Sequence, residues 1–552
     1  MEFFKKKKHR ENIVLRLINR ETFGCQRAGT QIHRQFYQNV FPNFTVINVE
    51  KPPCFIRKFT PDGKHAIAFS SDQSSLEVYT YQGPAAVADL LQKVGNLENL
   101  DKKVQEDIKR NIFGRFFKLK HFINITATEH LNRECSLFVD EGRYAIIGSA
   151  CFIPEEIRPH FYEIYTNNEA ITPTARTPLE EYTLHLVDIH LGKLCDTRHF
   201  KVDKIFLSHN QGLYLYKDTL AVLSVQHQVI HIFQIIDGMF VDVKQIGRFC
   251  YEDDLYLYNL VYPSERAFKD VCINSLKHRL LTFLYKRAAA ISARSGNPTE
   301  LRKFYHYFDN FKSLKMWKMQ LLDENHILIK YASEDVVTLR QADANISEPQ
   351  FFAVYNIMES RVLAVYENSS SELLSLYEDF GDHFRNACLH RPIQFTCSPS
   401  NNLYARLHHF RYKHTITFAK FGGQVEAVKR ILAHLPISAQ SYTVSPYLDY
   451  SLFSYDDKWI SVIERPKQFG EHPIRFNARQ SGYLKFRLYV DNQRHLPSSA
   501  RRLVAFTFHP TDPFAVSVQR TNNAEYIVNF HVRYDNQNPD YNSYDANQYN
   551  CM

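Results

Sequence analysis

One phrase recurs along this chain: an apolar strand, a turn built from Asp, Gly, Pro or Asn, and a second apolar strand. Its clearest copy lies in residues 54–81, where Thr60–Gly63 separates two strand-like segments and a third follows at 76–81. Pro at the second turn position and Gly at the fourth favour a tight turn. Alternation with a period of two is typical of strands whose two faces pack differently. We therefore predict an antiparallel meander here.

The phrase returns six more times along the chain, at Ser136–Gly148, Leu213–Val225, Met319–Tyr331, Phe395–Leu407, Leu452–Ile463 and Phe506–Val518. A four-stranded blade cannot bury its faces alone, so repeated blades stack around an axis. Seven copies predict an all-β fold, a seven-bladed, WD-repeat-like β-propeller. Other all-β folds are the alternative, because any β-rich chain yields such pairs. A strand at Phe44–Glu50 is expected to pair with Glu525–Arg533, which would cover an open edge.

The uneven spacing of the copies requires large insertions between blades. The predicted organisation is a basic flexible N-terminus at 1–11, a helix–loop–helix at 12–43, a propeller at 44–533 with insertions at 84–120, 153–180 and 251–311, and a disordered tail at 534–552. The tail is rich in Asn, Tyr and Asp, a composition that does not build a core.

The helix–loop–helix has apolar side chains at helical spacing, and Thr30 and Pro42 are positioned to cap and to end its second helix. Its candidate docking residues are Ile13, Leu17, Ile18, Ile32, Phe36 and Tyr37. These side chains either pack on the flank of the propeller or insert into a groove of a partner protein.

A basic run precedes this element. It consists of Lys5, Lys6, Lys7, Lys8 and Arg10. Such a run is a candidate nuclear import signal or a solvated chain end.

Composition and motifs indicate a binding protein rather than an enzyme. The net charge of +8 is small for 552 residues, and none of the ten cysteines forms a CxxC pair. Asp379-Phe380-Gly381 spells the kinase metal-binding triplet, but no kinase catalytic loop or Gly-rich loop accompanies it. We predict no catalytic residue, no metal site and no cofactor. No apolar run resembles a secretory leader or a membrane span, so we expect a soluble protein in a reducing intracellular compartment.

Long and idiosyncratic strings of this sequence resemble De-etiolated-1 proteins. They lie at 38–79, Glu129–Phe138, Leu207–Tyr216, Gly247–Leu255, Ile273–Leu281, Met316–Leu339, Pro436–Pro446, Ser454–Pro466 and Arg501–Asn529. The resemblance covers nearly the whole chain. It weakens in the first nine residues, at 84–120 and 255–310, and after Arg533.

The resemblance implies a non-catalytic receptor or scaffold subunit of a cullin-4 RING ubiquitin ligase in the nucleus. The implied partners are the adaptor damaged-DNA-binding protein 1, the small De-etiolated-1-associated protein, the constitutive photomorphogenesis ligase and a ubiquitin-conjugating enzyme, with cullin-4 and its RING subunit bound indirectly. The implied outcome is ubiquitination and degradation of transcription factors.

Related cullin-4 receptors dock through a helix–loop–helix ahead of their propeller, which favours the docking interpretation of residues 12–41. Many also carry a WDxR signature, which neither Trp317 nor Trp459 fits, so the helices must carry more of the contact. The alternative function is a chromatin- or nucleic-acid-associated propeller acting as a transcriptional repressor, for which basic patches such as Arg115–His121 would serve. An enzyme in its own right has no residue set to support it.

Overall fold

The computed structural model describes residues 40–92, 102–154, 159–164, 169–171, 180–247, 276–334, 350–386, 402–442, 444–456, 460, 474–479, 481–488, 501–521 and 526–533. The basic run, the helix–loop–helix up to residue 39 and the tail after 533 lie outside the described residues.

Strands of the first half form three antiparallel sheets of consecutive strands. β1 (Phe44–Val46) precedes the first sheet, which contains β2 (Cys54–Phe59), β3 (His65–Ser70), β4 (Ser75–Tyr81) and β5 (Phe117–Asn124). The second sheet contains β6 (His130–Val139), β7 (Tyr144–Phe152), β8 (Glu180–Asp188) and β9 (Lys193–Asp203). The third sheet contains β10 (Leu213–Tyr216), β11 (Thr219–Ser224), β12 (Val229–Ile236) and β13 (Met239–Ile246).

Strands of the second half continue this pattern. The fourth sheet contains β14 (Leu314–Leu321), β15 (His326–Ser333), β16 (Phe351–Asn356) and β17 (Arg361–Glu367). The fifth sheet contains β18 (Phe453–Ser454), β19 (Ile474–Ala478) and β20 (Leu484–Leu488). The last sheet joins β21 (Arg501–Phe508), β22 (Phe514–Thr521) and β23 (Tyr526–Val532) to β1.

The predicted fold class is confirmed, because antiparallel meanders of four strands are the blade unit of a β-propeller. Six sheets lie within the described residues, so a count of seven blades stays a prediction. The turn in the first sheet forms as expected: the Gly63 amide donates to the Thr60 carbonyl at 2.9 Å. Gly63 has a φ of 77°, and an added Cβ would lie 2.7 Å from the His509 ring, so the turn requires glycine.

The N-terminal strand completes the last sheet. β1 pairs antiparallel with β23, with Thr45 opposite His531. The last sheet also contacts the first, where the Thr507 hydroxyl donates to the Arg57 carbonyl at 3.1 Å. Residues near the two ends of the chain therefore share one sheet, as the sequence predicted.

Helices lie between and beside the sheets. They are α1 (Ala88–Gln92), α2 (Lys102–Phe116), α3 (Phe161–Ile164), α4 (Leu276–Ser295), α5 (Thr299–His306), α6 (Phe308–Ser313), α7 (Ser371–Asp379), α8 (Gly381–Arg385), α9 (Leu403–Thr417) and α10 (Gln424–Leu432). None of these helices is long and apolar enough to cross a membrane.

The strand pair predicted at 395–407 is wrong from residue 403 onward, where α9 begins. Asn402 starts this helix, because its side-chain oxygen accepts the Ala405 amide at 3.0 Å. Leu403, Ala405 and Leu407 alternate as a strand would, but Leu403 and Leu407 also fit the helical period that continues to Phe410. Residues 395–401 lie outside the described part of the chain.

Residues 437–442, the axial segment, lie among the first strands of several sheets. Gln440 accepts hydrogen bonds from the Lys58 ammonium of β2 and the Phe138 amide of β6, both at 2.9 Å. The Ile437 amide donates to the Gln320 side chain of β14 at 2.8 Å. The axial segment thus connects strands of the first, second and fourth sheets through the Gln440 side chain and the Ile437 amide.

Candidate protein-interaction surfaces

The predicted docking residues themselves lie outside the described residues, but the structure shows where their segment joins the β-domain. Val40 is buried, and the Phe41 ring stacks on Phe486 of β20 with a centroid distance of 6.4 Å. The Arg533 guanidinium lies 5.4 Å from the centroid of the Phe41 ring. With β1 following directly, residues 40–46 form an anchor that bridges the fifth and last sheets.

The insertion predicted at 84–120 belongs to the core. The buried face of α2 includes Ile108, Ile112 and Phe116. The Phe116 ring lies 4.7 Å from that of Phe514 in β22, so α2 holds the first and last sheets together. β5 begins at Phe117, which places the final residues of the predicted insertion in the first sheet. A helix with this role does not project as a separable arm.

The insertion predicted at 251–311 does not join two sheets as α2 does. Its described part forms a helical unit on the fourth sheet. Leu276, Leu280 and Leu284 of α4 are buried, and the Arg287 guanidinium donates to the Val365 carbonyl of β17 at 2.7 Å. The Lys277 ammonium lies 3.3 Å from the Glu169 carboxylate. Burial nevertheless lowers the pKa of Lys277 to about 8. These contacts fix the unit rigidly.

The outer side of this helical unit is aromatic and basic. Tyr285, Tyr305 and Tyr307 are exposed, and the rings of Tyr285 and Tyr305 lie 6.4 Å apart. Residues 276–313 contain eight Lys or Arg against two Asp or Glu. Exposed tyrosines with surrounding cations suit recognition of an acidic protein surface.

A second exposed helical face lies on α9. Its exposed apolar side chains, at helical spacing and into the following turn, are Leu403, Leu407, Phe410, Phe418 and Phe421. The opposite side is fixed by Glu378 of α7, which accepts from His409 and Lys413, both at 3.0 Å. Although burial opposes it, these two hydrogen bonds hold the pKa of Glu378 below its ordinary value. The strand pair predicted at 395–407 covers Leu403 and Leu407, and no helix was predicted for the residues that follow, so this face could not be recognised from the sequence.

No catalytic constellation emerges in the described part of the chain. No group of three or more His, Cys, Asp or Glu side chains there could hold a metal ion. Ser149 contacts the His185 Nε2 atom at 2.7 Å, but Glu129 approaches that same nitrogen at 3.7 Å and Nδ1 has no partner among the described groups. A nucleophile–base pair needs its orienting carboxylate on the other nitrogen. In the Asp379-Phe380-Gly381 triplet, Asp379 is the last residue of α7 and Gly381 is the first residue of α8.

Comparison with known proteins identifies the family. The model of the De-etiolated protein 1 (Det1) family matches residues 133–534, from β6 to just beyond β23. The chain belongs to the Det1 family.

Two relatives support this membership over almost the full length. The light-mediated development protein DET1 of Solanum lycopersicum is 34% identical, with 95% of this chain and 99% of the relative covered. DET1 of Arabidopsis thaliana is 32% identical with the same coverage. Among solved structures, the Dos1 propeller is 8% identical with a TM-score of 0.31, covering 90% of this Det1-family chain and 95% of the other chain. That likeness is too weak to carry an argument.

Proposed function

We propose that this Det1-family chain is a non-catalytic receptor or scaffold subunit of a cullin-4 RING ubiquitin ligase. It docks on damaged-DNA-binding protein 1 through residues 12–41 and acts together with the small De-etiolated-1-associated protein. With the constitutive photomorphogenesis ligase and a ubiquitin-conjugating enzyme it promotes degradation of transcription factors. It acts in the nucleus, with Lys5–Arg10 as the import signal.

The observation that carries this proposal is the anchor at residues 40–46. Val40 and Phe41, which directly follow the predicted helix pair, pack on the fifth sheet, and β1 joins the last sheet a few residues later. Such a tether lowers the entropy lost when a helix enters a partner groove. In this proposal the apolar residues of the predicted helix pair dock on the partner close to the β-domain.

The helical unit at 276–313 is our candidate contact for the conjugating enzyme or the second ligase. It stands on the fourth sheet through Leu280 and Arg287, and its exposed tyrosines lie on the outer side. Replacing Tyr305 and Tyr307 with Ala should weaken retention of these partners while adaptor binding persists. Retention of both partners by the variant would remove this unit from the proposal.

The decisive experiment is co-purification of the adaptor with the full chain and with a Leu17→Asp, Phe36→Asp double variant. We expect the variant to lose the adaptor because two aspartates would have to be buried in an apolar groove. A Leu191→Asp, Met358→Asp variant is the matched control, since both side chains are exposed on the β-domain. Circular dichroism verifies the fold of each protein. Adaptor binding by the folded docking variant would overturn the proposal.

A second candidate function is association with nucleic acid, and the charge of the helical units favours it. Besides the unit at 276–313, residues 402–432 contain six Lys or Arg against one Glu. Phosphate contacts release counterions, so this function requires DNA affinity that falls steeply with salt. A Lys286→Ala, Arg294→Ala variant should then reduce the salt slope. Absence of DNA binding near 0.15 M salt would eliminate this candidate.

A further inference from the structure

The exposed face of α9 has the residue spacing of a coiled-coil seam. Its exposed side chains recur in alternating steps of four and three residues, and we call the four of them the α9 seam: Leu403, Leu407, Phe410 and His414. Such steps place the residues on the d and a positions of a heptad, which form one narrow stripe along a helix. The His414 ring lies 6.1 Å from that of Phe410 and 4.2 Å from that of Phe418, so the stripe is continuous.

Cations flank the α9 seam on both sides. In the heptad that the seam defines, Arg406 occupies a g position and Arg411 an e position, and both side chains are exposed. Residues 402–425 contain four Lys or Arg and no Asp or Glu. Within the part of the chain that the structure describes, neither of the two guanidinium groups forms an ion pair. Charges at e and g positions decide which helix a seam accepts.

The opposite side of α9 is fixed to the rest of the protein. Ala405 and Ile416 are buried. The Asn402 side-chain amide donates to the carbonyls of Tyr450 and Phe453 at 2.9 and 3.2 Å, which attaches the start of the helix to the fifth sheet. A helix that is already held in place loses little conformational entropy when a partner binds its free side. The seam is therefore presented on a rigid support.

We propose that the α9 seam docks an amphipathic helix of a partner protein whose own apolar seam is flanked by Asp or Glu. Apolar side chains at d and a positions pack into the holes of a facing helix, and Leu403 and Phe410 are each 61% exposed without such a helix. Carboxylates beside the partner seam would meet Arg406 and Arg411. α9 contains 15 residues, so at 1.5 Å per residue it offers about 22 Å, or four turns, to its partner.

The chemistry of this face disfavours other occupants. A second copy of the chain would bring the arginines of one α9 against those of the other, and like charges at e and g positions repel. Leu403 and Leu407 cannot stack on the bases of a single-stranded nucleic acid, and one face of the His414 ring is already against Phe418. A helix that lies on a membrane buries a broad apolar sector, whereas the α9 seam is narrow.

The experiment measures fluorescence anisotropy of a labelled synthetic peptide of four heptads, with Leu at a and d and Glu at e and g, titrated with the full chain. Like charges oppose self-association of this peptide, so it stays available for binding. We expect saturable binding that is at least about tenfold tighter than that of a peptide with Lys at e and g. A Leu407→Glu, Phe410→Glu variant should bind about tenfold more weakly or worse, because two carboxylates would enter an apolar contact.

A Leu119→Glu, Phe122→Glu variant is the matched control, because it makes the same two changes at exposed positions of β5. It should bind the glutamate peptide as the wild type does. An Arg406→Glu, Arg411→Glu variant should reverse the preference and bind the lysine peptide more tightly than the glutamate peptide. Such a gain of binding cannot come from misfolding.

Three results with the peptides would overturn the proposal: no saturable binding of the glutamate peptide, equal weakening in the Leu407–Phe410 and Leu119–Phe122 variants, or an unchanged preference after the arginine reversal. A dimer of the full chain, or binding of an oligonucleotide or of vesicles of phosphatidylcholine and phosphatidylserine, would also overturn it if the Leu407→Glu, Phe410→Glu variant abolished that association. The α9 seam is separate from residues 12–41, so the result of the adaptor co-purification does not bear on it.

Discussion

Replacing Lys330 with Met should stabilise the protein. The ammonium of Lys330 is buried between Trp317 and Phe352 and faces Lys318 across the strand pair. Methionine has a similar length, fills the same space between the two rings and carries no charge that must be removed from water. A buried charge replaced by a well-packed apolar side chain is often neutral or favourable for stability.

The size of the effect follows from the pKa of Lys330, which falls from 10.5 to about 7. At 1.36 kcal/mol for each pKa unit, the protonated form costs about 5 kcal/mol as an upper limit. Favourable contact of the ammonium with the Trp317 ring, together with relaxation around the side chain, reduces that figure. We expect Lys330→Met to raise the free energy of unfolding at pH 7 by about 1–3 kcal/mol.

The same pKa predicts how the difference changes with pH. Between pH 7 and about 10 the unfolded chain keeps a proton that folded Lys330 has released, so wild-type stability rises with pH by at most about 1.4 kcal/mol per unit from this group. The advantage of the variant should therefore shrink over that window. Lys58 titrates in both proteins, so its contribution cancels in the comparison.

Urea unfolding at pH 7, 8 and 9, followed by the fluorescence of Trp317 in a Trp459→Phe background, measures the effect where it arises. Lys118→Met, on the exposed side of β5, is the control and should change stability by less than about 0.5 kcal/mol. A destabilised Lys330→Met protein, or a difference that stays constant with pH, would refute the reasoning.

Three further substitutions test the architecture, each measured by urea unfolding. Gln440→Ala removes the contacts of the axial segment with Lys58 and Phe138 and should lower the free energy of unfolding by about 2 kcal/mol. An unchanged urea midpoint would mean that the segment has no structural role. Phe116→Ala empties a fully buried position between the first and last sheets and should cost about 3–5 kcal/mol, and a loss below 1 kcal/mol would mean that α2 is peripheral. Asn402→Ala deletes the cap of α9 and the two hydrogen bonds that the Asn402 amide group donates to the Tyr450 and Phe453 carbonyls, and it should cost about 2–3 kcal/mol; a loss below about 1 kcal/mol would mean that Asn402 does not hold the start of α9.

The sequence predicted those elements whose signals are local. The turn at Thr60–Gly63 depends on a Pro and a Gly at fixed positions, and the strands on both sides alternate with a clear period. The pairing of β1 with β23 was also predicted, because an apolar strand at each end of a repeating β-fold has few other partners. The first inference requires only the residues of the turn and its strands, whereas the second also requires the repeat, because the repeat indicates that an edge strand needs a partner.

The remaining features depend on contacts between distant segments. Residues 403–407 satisfy both a strand and a helix pattern, and the cap at Asn402 and the packing against Glu378 decide in favour of the helix. The axial segment has no periodicity, so nothing local distinguishes it from a surface loop. Lys330 looks like one of many lysines until the fold places Trp317 and Phe352 beside it.

The pairing of β1 with β23 has a consequence for synthesis on the ribosome. The Thr45 hydroxyl contacts the His531 ring at 3.2 Å across a sequence separation of 486 residues. At about 5–20 residues per second, β1 leaves the ribosome roughly half a minute to a minute and a half before its partner strand is translated. For most of that time residues 40–46 lack both the fifth and the last sheet as partners. A stop codon between β20 and β23 would deprive β1 of its partner strand and leave Phe41 in contact with the fifth sheet only, so a truncation at the C-terminus would also weaken the N-terminal anchor.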